Sequence, residues 1–427
     1  MPRRPLSAPV LSILPLLALT ALLGAAPLSA GICFMDDVPA ATLLLPYFEV
    51  DLDNPSGITT VMSINNATSA AVLAHVVFWT DLSVPTLDFD VYLTGYDVQA
   101  INLRDVFNGA LPSTASAGQD PSDVISPKGA FSQDVNFASC AGQLPPPPLP
   151  AVLRTHIQAA HTGLFSVILN GCAGLEYGDH VARGYVTVDM VKNCTLRLPG
   201  DPGYFGPNGT GDASNVNALW GDYFYVDSVG NVAEGDTLVH IEASFKNPET
   251  SGSGQYTFYG RYVNWTGIDN REPLSSHFAS RYVNGGAFSG GTDFIVWRDS
   301  KVNQSAFKCG TLPGWYPLLQ EQIVTFDEQE HPTVFQALPG APQPFPAEAQ
   351  RTHVDGPALP VPFDFGWAFL DLNANVPAAG ANPPEDPAAG QAWVSTVMTG
   401  TGRFGIGFDA IHLDSACTPS HAVLGPP

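Results

Sequence analysis

The sequence predicts an all-β protein, built as β-sandwich domains of immunoglobulin-like or jelly-roll-like type with long Pro/Gly-rich loops. Three observations carry that expectation. Residues 87–93 alternate strictly, with Leu87, Phe89, Val91 and Leu93 on one face and Asp88, Asp90 and Tyr92 on the other, as in a half-buried antiparallel strand. Further β-rich runs recur at 72–79, 184–191, 223–226, 237–245, 256–263, 294–297, 322–326, 393–398 and 405–413. Between them stand turn clusters, and 41 Gly with 39 Pro in 427 residues leave little room for long helices. Residues 103–107 and 275–281 are the stretches expected to form a helical turn or two.

Residues 1–30 read as a secretory signal peptide. Arg3 and Arg4 open it, residues 10–26 are largely apolar, and Leu28, Ser29 and Ala30 supply a small-residue cleavage site. A membrane anchor fits less well, because the apolar run is short and carries Pro15. Ile32, just before Cys33, is too bulky for a lipidation site. No later stretch is long and apolar enough to span a bilayer as a helix. The remainder is therefore expected outside the cytoplasm, as a secreted, periplasmic or cell-surface protein.

That remainder is expected to divide into an N-terminal β-sandwich domain at 31–143, a polyproline linker at 144–150 and a larger C-terminal β-sandwich region at 151–427. Four consecutive prolines, 145–148, favour extended polyproline II and cannot join a β-ladder. Six cysteines in an exported chain argue for three disulfides. Even spacing suggests Cys33–Cys140, Cys172–Cys194 and Cys309–Cys417, although spacing alone does not fix connectivity.

The formal net charge is −23, from 40 acidic residues against 17 Lys plus Arg. Such a balance excludes a nucleic-acid partner, whose binding rests on neutralising phosphates, and disfavours anionic lipid. Solubility is the plain consequence. Only 13% of residues are charged, so the surface must draw on Ser, Thr, Asn, Gly and Pro.

Several constellations have alternative readings. Residues 400–405 match G-x-G-x-x-G, but β-type sequence follows where a dinucleotide site needs a helix, so a glycine-rich hairpin turn is expected. Residues 287–291 miss the G-x-S-x-G elbow by one glycine. His240 and Glu242, two apart in a strand, share a face and with His156 and His161 are the candidate metal ligands; a solvent-facing pair is the simpler reading. Asp51, Asp53 and Asn54, and Asp371, Asn373 and Asn375, alternate oxygen donors as calcium loops do, but lack the glycine and terminal carboxylate of an EF-hand. Ca2+ is thus the one candidate ion, and ordinary turn capping is the competing reading. Residues 47–51, 223–227 and 367–371 share an aromatic, an aliphatic and an aspartate, each followed by a Thr-rich strand. They are either degenerate repeats or ordinary hairpin chemistry. Five N-x-S/T sequons occur, at Asn66, Asn193, Asn208, Asn264 and Asn303.

No residue is assigned a catalytic, cofactor or metal role by these patterns. The expectation is a non-catalytic secreted or cell-surface protein with a binding or structural role, its partner a glycan or another surface protein. The alternative is a carbohydrate-active enzyme or glycan-binding protein. It would use Glu242, Glu249, Asp269, Glu272 and Asp293 beside Tyr256, Phe258, Tyr259, Tyr262, Trp265 and Trp297, because carboxylates bond sugar hydroxyls and aromatic faces stack on sugar rings.

Overall fold

The computed structural model describes residues 38–112, 137–140, 143–144, 146–244, 257–335, 342–373 and 390–413. The expected signal peptide, Cys33, Cys417, Glu249, Tyr256 and Asn375 lie outside these residues. Ahead of the polyproline run come β1 (Thr42–Asp51), β2 (Thr59–Asn66), β3 (Val72–Thr80), β4 (Pro85–Leu93), β5 (Val98–Asn102) and a short helix, α1 (Leu103–Phe107). After it come α2 (Ala151–His161), β6 (Val181–Val191), β7 (Leu219–Trp220), β8 (Asp222–Asp227), β9 (Val232–Thr237) and β10 (Val239–Ile241). The chain continues through β11 (His277–Val283), β12 (Gly291–Arg298), β13 (Gln322–Phe326), β14 (Pro332–Phe335) and β15 (Ala349–His353). It closes with β16 (Phe365–Asp371), β17 (Ala392–Gly400), β18 (Phe404–Asp409) and β19 (Ile411–His412).

These strands form antiparallel sheets in the orders β10-β1-β6-β3-β4, β5-β2-β8-β9, β15-β12-β17-β18 and β14-β13-β16-β11-β19. The protein is therefore all-β, as the alternating pattern requires. The first two sheets each mix strands from both sides of residues 144–150, since β1 pairs with β6 and β10, and β2 with β8. Their core also runs across that boundary, from Leu43 and Phe78 to Tyr185 and Leu238. Residues 146–150 thus connect strands of a shared pair of sheets and lead straight into α2, with Pro150 at its N-cap position.

Strand β12 shows how the cores are joined. Its side chains alternate by the pleat: Phe294 and Val296 enter one core with Phe278, Ile323 and Leu370, while Ile295 and Trp297 enter the other with Trp79-side residues such as Tyr185. A strand buried on both faces reads as a continuous apolar run, which residues 294–297 do. Each fully buried aliphatic or aromatic side chain here stabilises the fold by about 1.5–3 kcal/mol. Between the cores Arg261 is buried against Glu348 (2.7 and 2.9 Å) and Asp299 (3.2 Å).

Several expectations are corrected. The polar face of β4 is buried, because Asp90 accepts a bond from the buried His75 ring (2.8 Å) and Tyr92 packs on the Cys140–Cys194 disulfide. Residues 277–283 are strand β11 where a helical turn was expected. Residues 257–263 are turn and 3-10 helix where a strand was expected, tied by Asp269 to the Thr257 hydroxyl (2.5 Å) and the Tyr259 amide (3.0 Å).

Among the described residues the disulfides are Cys140–Cys194 and Cys172–Cys309, with Cα atoms 5.1 and 5.0 Å apart. All three pairings drawn from spacing are therefore wrong. Pairing of β6 with β3 brings the end of β6 beside Leu73 and Tyr92, so Cys194 meets Cys140 there. An isolated bridge between Cys172 and Phe307 delivers Cys309 to Cys172. The three aromatic-to-aspartate segments are not one repeated unit. β8 and β9 form a hairpin in one sheet, whereas β1 to β2 and β16 to β17 pass between sheets.

Candidate functional site

Arg351 sits at the meeting point of four strands, and its environment begins with a break in β1. Pro46 has no amide to give the ladder, and the β1–β6 register shifts between Leu45 and Phe48. Beyond that bulge Glu49 stands opposite Arg183 on β6. On β15, Arg351 and His353 are two residues apart and so project from one face, while Asp293 on β12 stands opposite His353. Tyr225 from β8 and Glu234 from β9 are opposite each other in their own hairpin.

The result is one guanidinium facing three carboxylates. Arg351 Nε lies 3.2 Å from Glu49, Nη1 lies 3.1 Å from Asp293, and Nη2 lies 3.3 Å from Glu234. The guanidinium stacks 5.2 Å from the centre of the Tyr225 ring, and the Tyr225 hydroxyl donates to the Tyr47 carbonyl (2.9 Å). Tyr47 donates to Glu49 (3.0 Å), and His353 Nδ1 lies 2.7 Å from Asp293. Arginine suits such a place, because its fork serves several acceptors at once.

The same surroundings push the acids apart. Burial raises the pKa of Glu234, and Asp293 and Glu49 add repulsion that Arg351 only partly offsets. Burial opposes the charge on Asp293 too, but its bonds to His353 and Arg351 prevail and hold its pKa below the usual carboxylate value. The hydrogen bond to Asp293 in turn raises the pKa of His353.

A cleft of about 420 Å³ opens over this cluster. Its buried floor is Tyr225 and Glu234 with part-buried Arg351, its apolar wall is Ile58 and Val232, and Thr401 and Gly402 stand at its exposed rim. Glu234 is 7% exposed, and its Oε2 is buried with no hydrogen-bond partner among the described residues. The glycine run 400–405 is the β17–β18 hairpin turn, as its sequence context implies, and it contributes to this cleft through Gly402. Along the same β9–β18 seam, Asp409 accepts from Ser395 (2.9 Å) and faces Asp236. Burial and that neighbouring charge raise its pKa to about 8.

The residues nominated from sequence do not come together. Among them only Asp293 joins the Arg351 cluster. Asp269 is buried in the Thr257 turn, and Glu242 accepts from Asn217 (3.1 Å) near β10. Phe258, Tyr259 and Trp297 are buried core side chains. His240 is likewise buried, its Nε2 accepting the Gly221 amide, and is no solvent-facing residue. His156 and His161 both bond Thr86, at its carbonyl and its hydroxyl. Asp51 caps the amides of Asp53 and Asn54, as Asp227 caps Val229 and Gly230, and Asp371 the amide of Asn373. Among the described residues no three His, Cys, Asp or Glu side chains form a metal-holding group. Sequence reasoning passed over Glu49, Glu234 and Arg351, which are isolated charges 115 or more positions apart in sequence.

No protein-family model, curated protein or solved structure matches this chain.

Proposed function

We propose that this chain is an exported β-sandwich protein with a binding role, and that it takes a glycan unit into the cleft over Glu234 and Arg351. The observation that carries the reading is the Glu234 carboxylate, 7% exposed and paired with Arg351, lining an open cleft of about 420 Å³. A sugar hydroxyl can donate to Glu234 while another accepts from Arg351, and Ile58 and Val232 offer apolar surface to ring C–H groups. Three carboxylates around one guanidinium favour a neutral ligand over an anionic one. Two disulfides support an oxidising, extracytoplasmic location, and no helix among the described residues is long and apolar enough to cross a membrane. A glycan screen on the purified protein tests this, followed by calorimetry on Glu234→Gln. Binding weakened tenfold or more by that substitution is expected, and a wild-type protein that binds no glycan overturns the reading.

A second reading rests on the divergent acidities. A carboxyl whose pKa is raised near one whose pKa is lowered is the arrangement of an acid and its partner in glycoside hydrolysis. Release of reducing sugar by the wild type, lost in Glu234→Gln and Asp293→Asn alike, would replace binding with hydrolysis.

A further inference from the structure

A second opening lies away from the Arg351 cleft, between helix α2 and the turn at 166–171. It is a groove of about 310 Å³, and its surface is almost wholly apolar. Val152 (60% exposed), Phe165 (54%), Val167 (79%) and Ile168 (47%) line it. Large apolar side chains exposed side by side mark a place where something apolar binds.

Three polar side chains also line this groove, Thr155, His156 and Ser166, and the last two, 5% and 1% exposed, bond each other. His156 Nδ1 lies 2.7 Å from Ser166 Oγ. The other ring nitrogen, Nε2, lies 3.1 Å from the Thr86 carbonyl, which can only accept, so Nε2 carries the ring hydrogen and Nδ1 is the acceptor for the serine O–H. Burial holds His156 below its ordinary pKa, which favours the neutral ring. The amide of Leu169 points at Ser166 Oγ from 3.3 Å. Nucleophile, base and a group orienting the base are the parts of an activated serine.

We propose that Ser166 and His156 form an acyl-transfer pair at the floor of this groove, and that its substrate is a carboxylic ester with an apolar acyl chain. Ser166 Oγ attacks the ester carbonyl carbon while its proton passes to His156 Nδ1, and the carbonyl π pair moves onto the carbonyl oxygen. Collapse of that intermediate breaks the bond to the alcohol oxygen, which leaves with the proton from Nδ1. A water then attacks the acyl-serine by the same route, with Nδ1 as base, and releases the carboxylic acid. The acyl chain lies against Phe165, Val167 and Ile168. This site is independent of the proposed glycan cleft, and neither reading depends on the other.

A fluorophosphonate probe and a series of p-nitrophenyl esters test it. Expected are a phosphonyl adduct on Ser166 by peptide mass mapping, and ester hydrolysis that falls at least 100-fold in Ser166→Ala and His156→Gln. Ser166 Oγ also bonds the Leu169 amide, so thermal melts of both variants accompany the assays. Val167→Ser, at a highly exposed position, supplies a readout independent of folding: KM rises several-fold for decanoate and stays unchanged for acetate. No adduct on Ser166, or hydrolysis equal in wild type and Ser166→Ala, overturns the proposal. Equal KM values for Val167→Ser and wild type across chain lengths overturn the role of the groove.

Discussion

Gly405 of β18 lies against Glu234 of β9, so close that a methyl group on its Cα would come 2.6 Å from Glu234 Oε2. Two residues further along β18, a methyl on Gly407 would come 3.0 Å from the Gly235 carbonyl. Bare backbone on β18 is what lets two sheets approach and seats Glu234 under Arg351. The glycines at 405 and 407 thus act through their size.

Gly405→Ala is accordingly expected to displace the Glu234 carboxylate or part the two strands. Overpacking of this kind costs about 1–3 kcal/mol. The melting temperature should fall and glycan affinity should fall with it. An unchanged melting temperature would show that the seam is looser than its contacts indicate.

Arg351 should be among the most costly side chains to remove. Arg351→Met leaves Glu49, Glu234 and Asp293 facing one another without their shared cation, and breaking a buried ion cluster from one side costs about 3–5 kcal/mol. Arg351→Lys keeps the charge but not the fork, and should recover only part of the loss. Urea denaturation of the two variants measures the difference.

The β9–β18 seam should also make stability depend on pH. Asp409 has its pKa raised to about 8 by burial and by Asp236, and Asp81 has its pKa raised to about 7 by burial. A folded-state pKa above the unfolded value means that the native state holds the proton more tightly. The stabilisation is complete below the ordinary carboxylate pKa and is lost as pH rises, between about 4 and 8 for Asp409. Melting temperature should therefore decline from pH 5 to pH 8 and then level off. Asp409→Asn removes the titrating group and should flatten much of that slope.

Much of the fold was legible because pleated strands announce themselves. Strand β13 occupies residues 322–326 as its β-rich run implies, and α1 occupies 103–107. Helix α2 was missed although His156, Ile157, Ala160 and His161 are buried at helical spacing, because histidines do not register as an apolar stripe and prolines precede them. Residues 257–263 misled in the opposite sense, since aromatic content there serves core packing from an irregular turn. The site was illegible for a different reason. Glu49, Glu234, Asp293 and Arg351 meet only through sheet pairing and packing, and Ser166 and His156 only because a turn folds back over a helix. The charges carry no local signature of that convergence. Connectivity of the cysteines failed likewise, because equal spacing in sequence says nothing about which strands are neighbours.

Non-reducing peptide mapping should recover Cys140 linked to Cys194 and Cys172 linked to Cys309, the latter closing a separation of 137 residues. Constraint of the unfolded chain grows slowly with loop length, and a loop of this order is worth about 4–5 kcal/mol in the chain-entropy account. The second bridge also anchors the segment that follows the 166–171 turn, through the paired amides and carbonyls of Cys172 and Phe307. Cys172→Ser with Cys309→Ser should lower the melting temperature more than Cys140→Ser with Cys194→Ser, which closes only 54 residues. It should also loosen the groove and reduce labelling of Ser166, while leaving glycan binding over Arg351 in place at temperatures where the variant is folded. Loss of both activities together, with the fold intact by circular dichroism, would mean that the two openings are coupled.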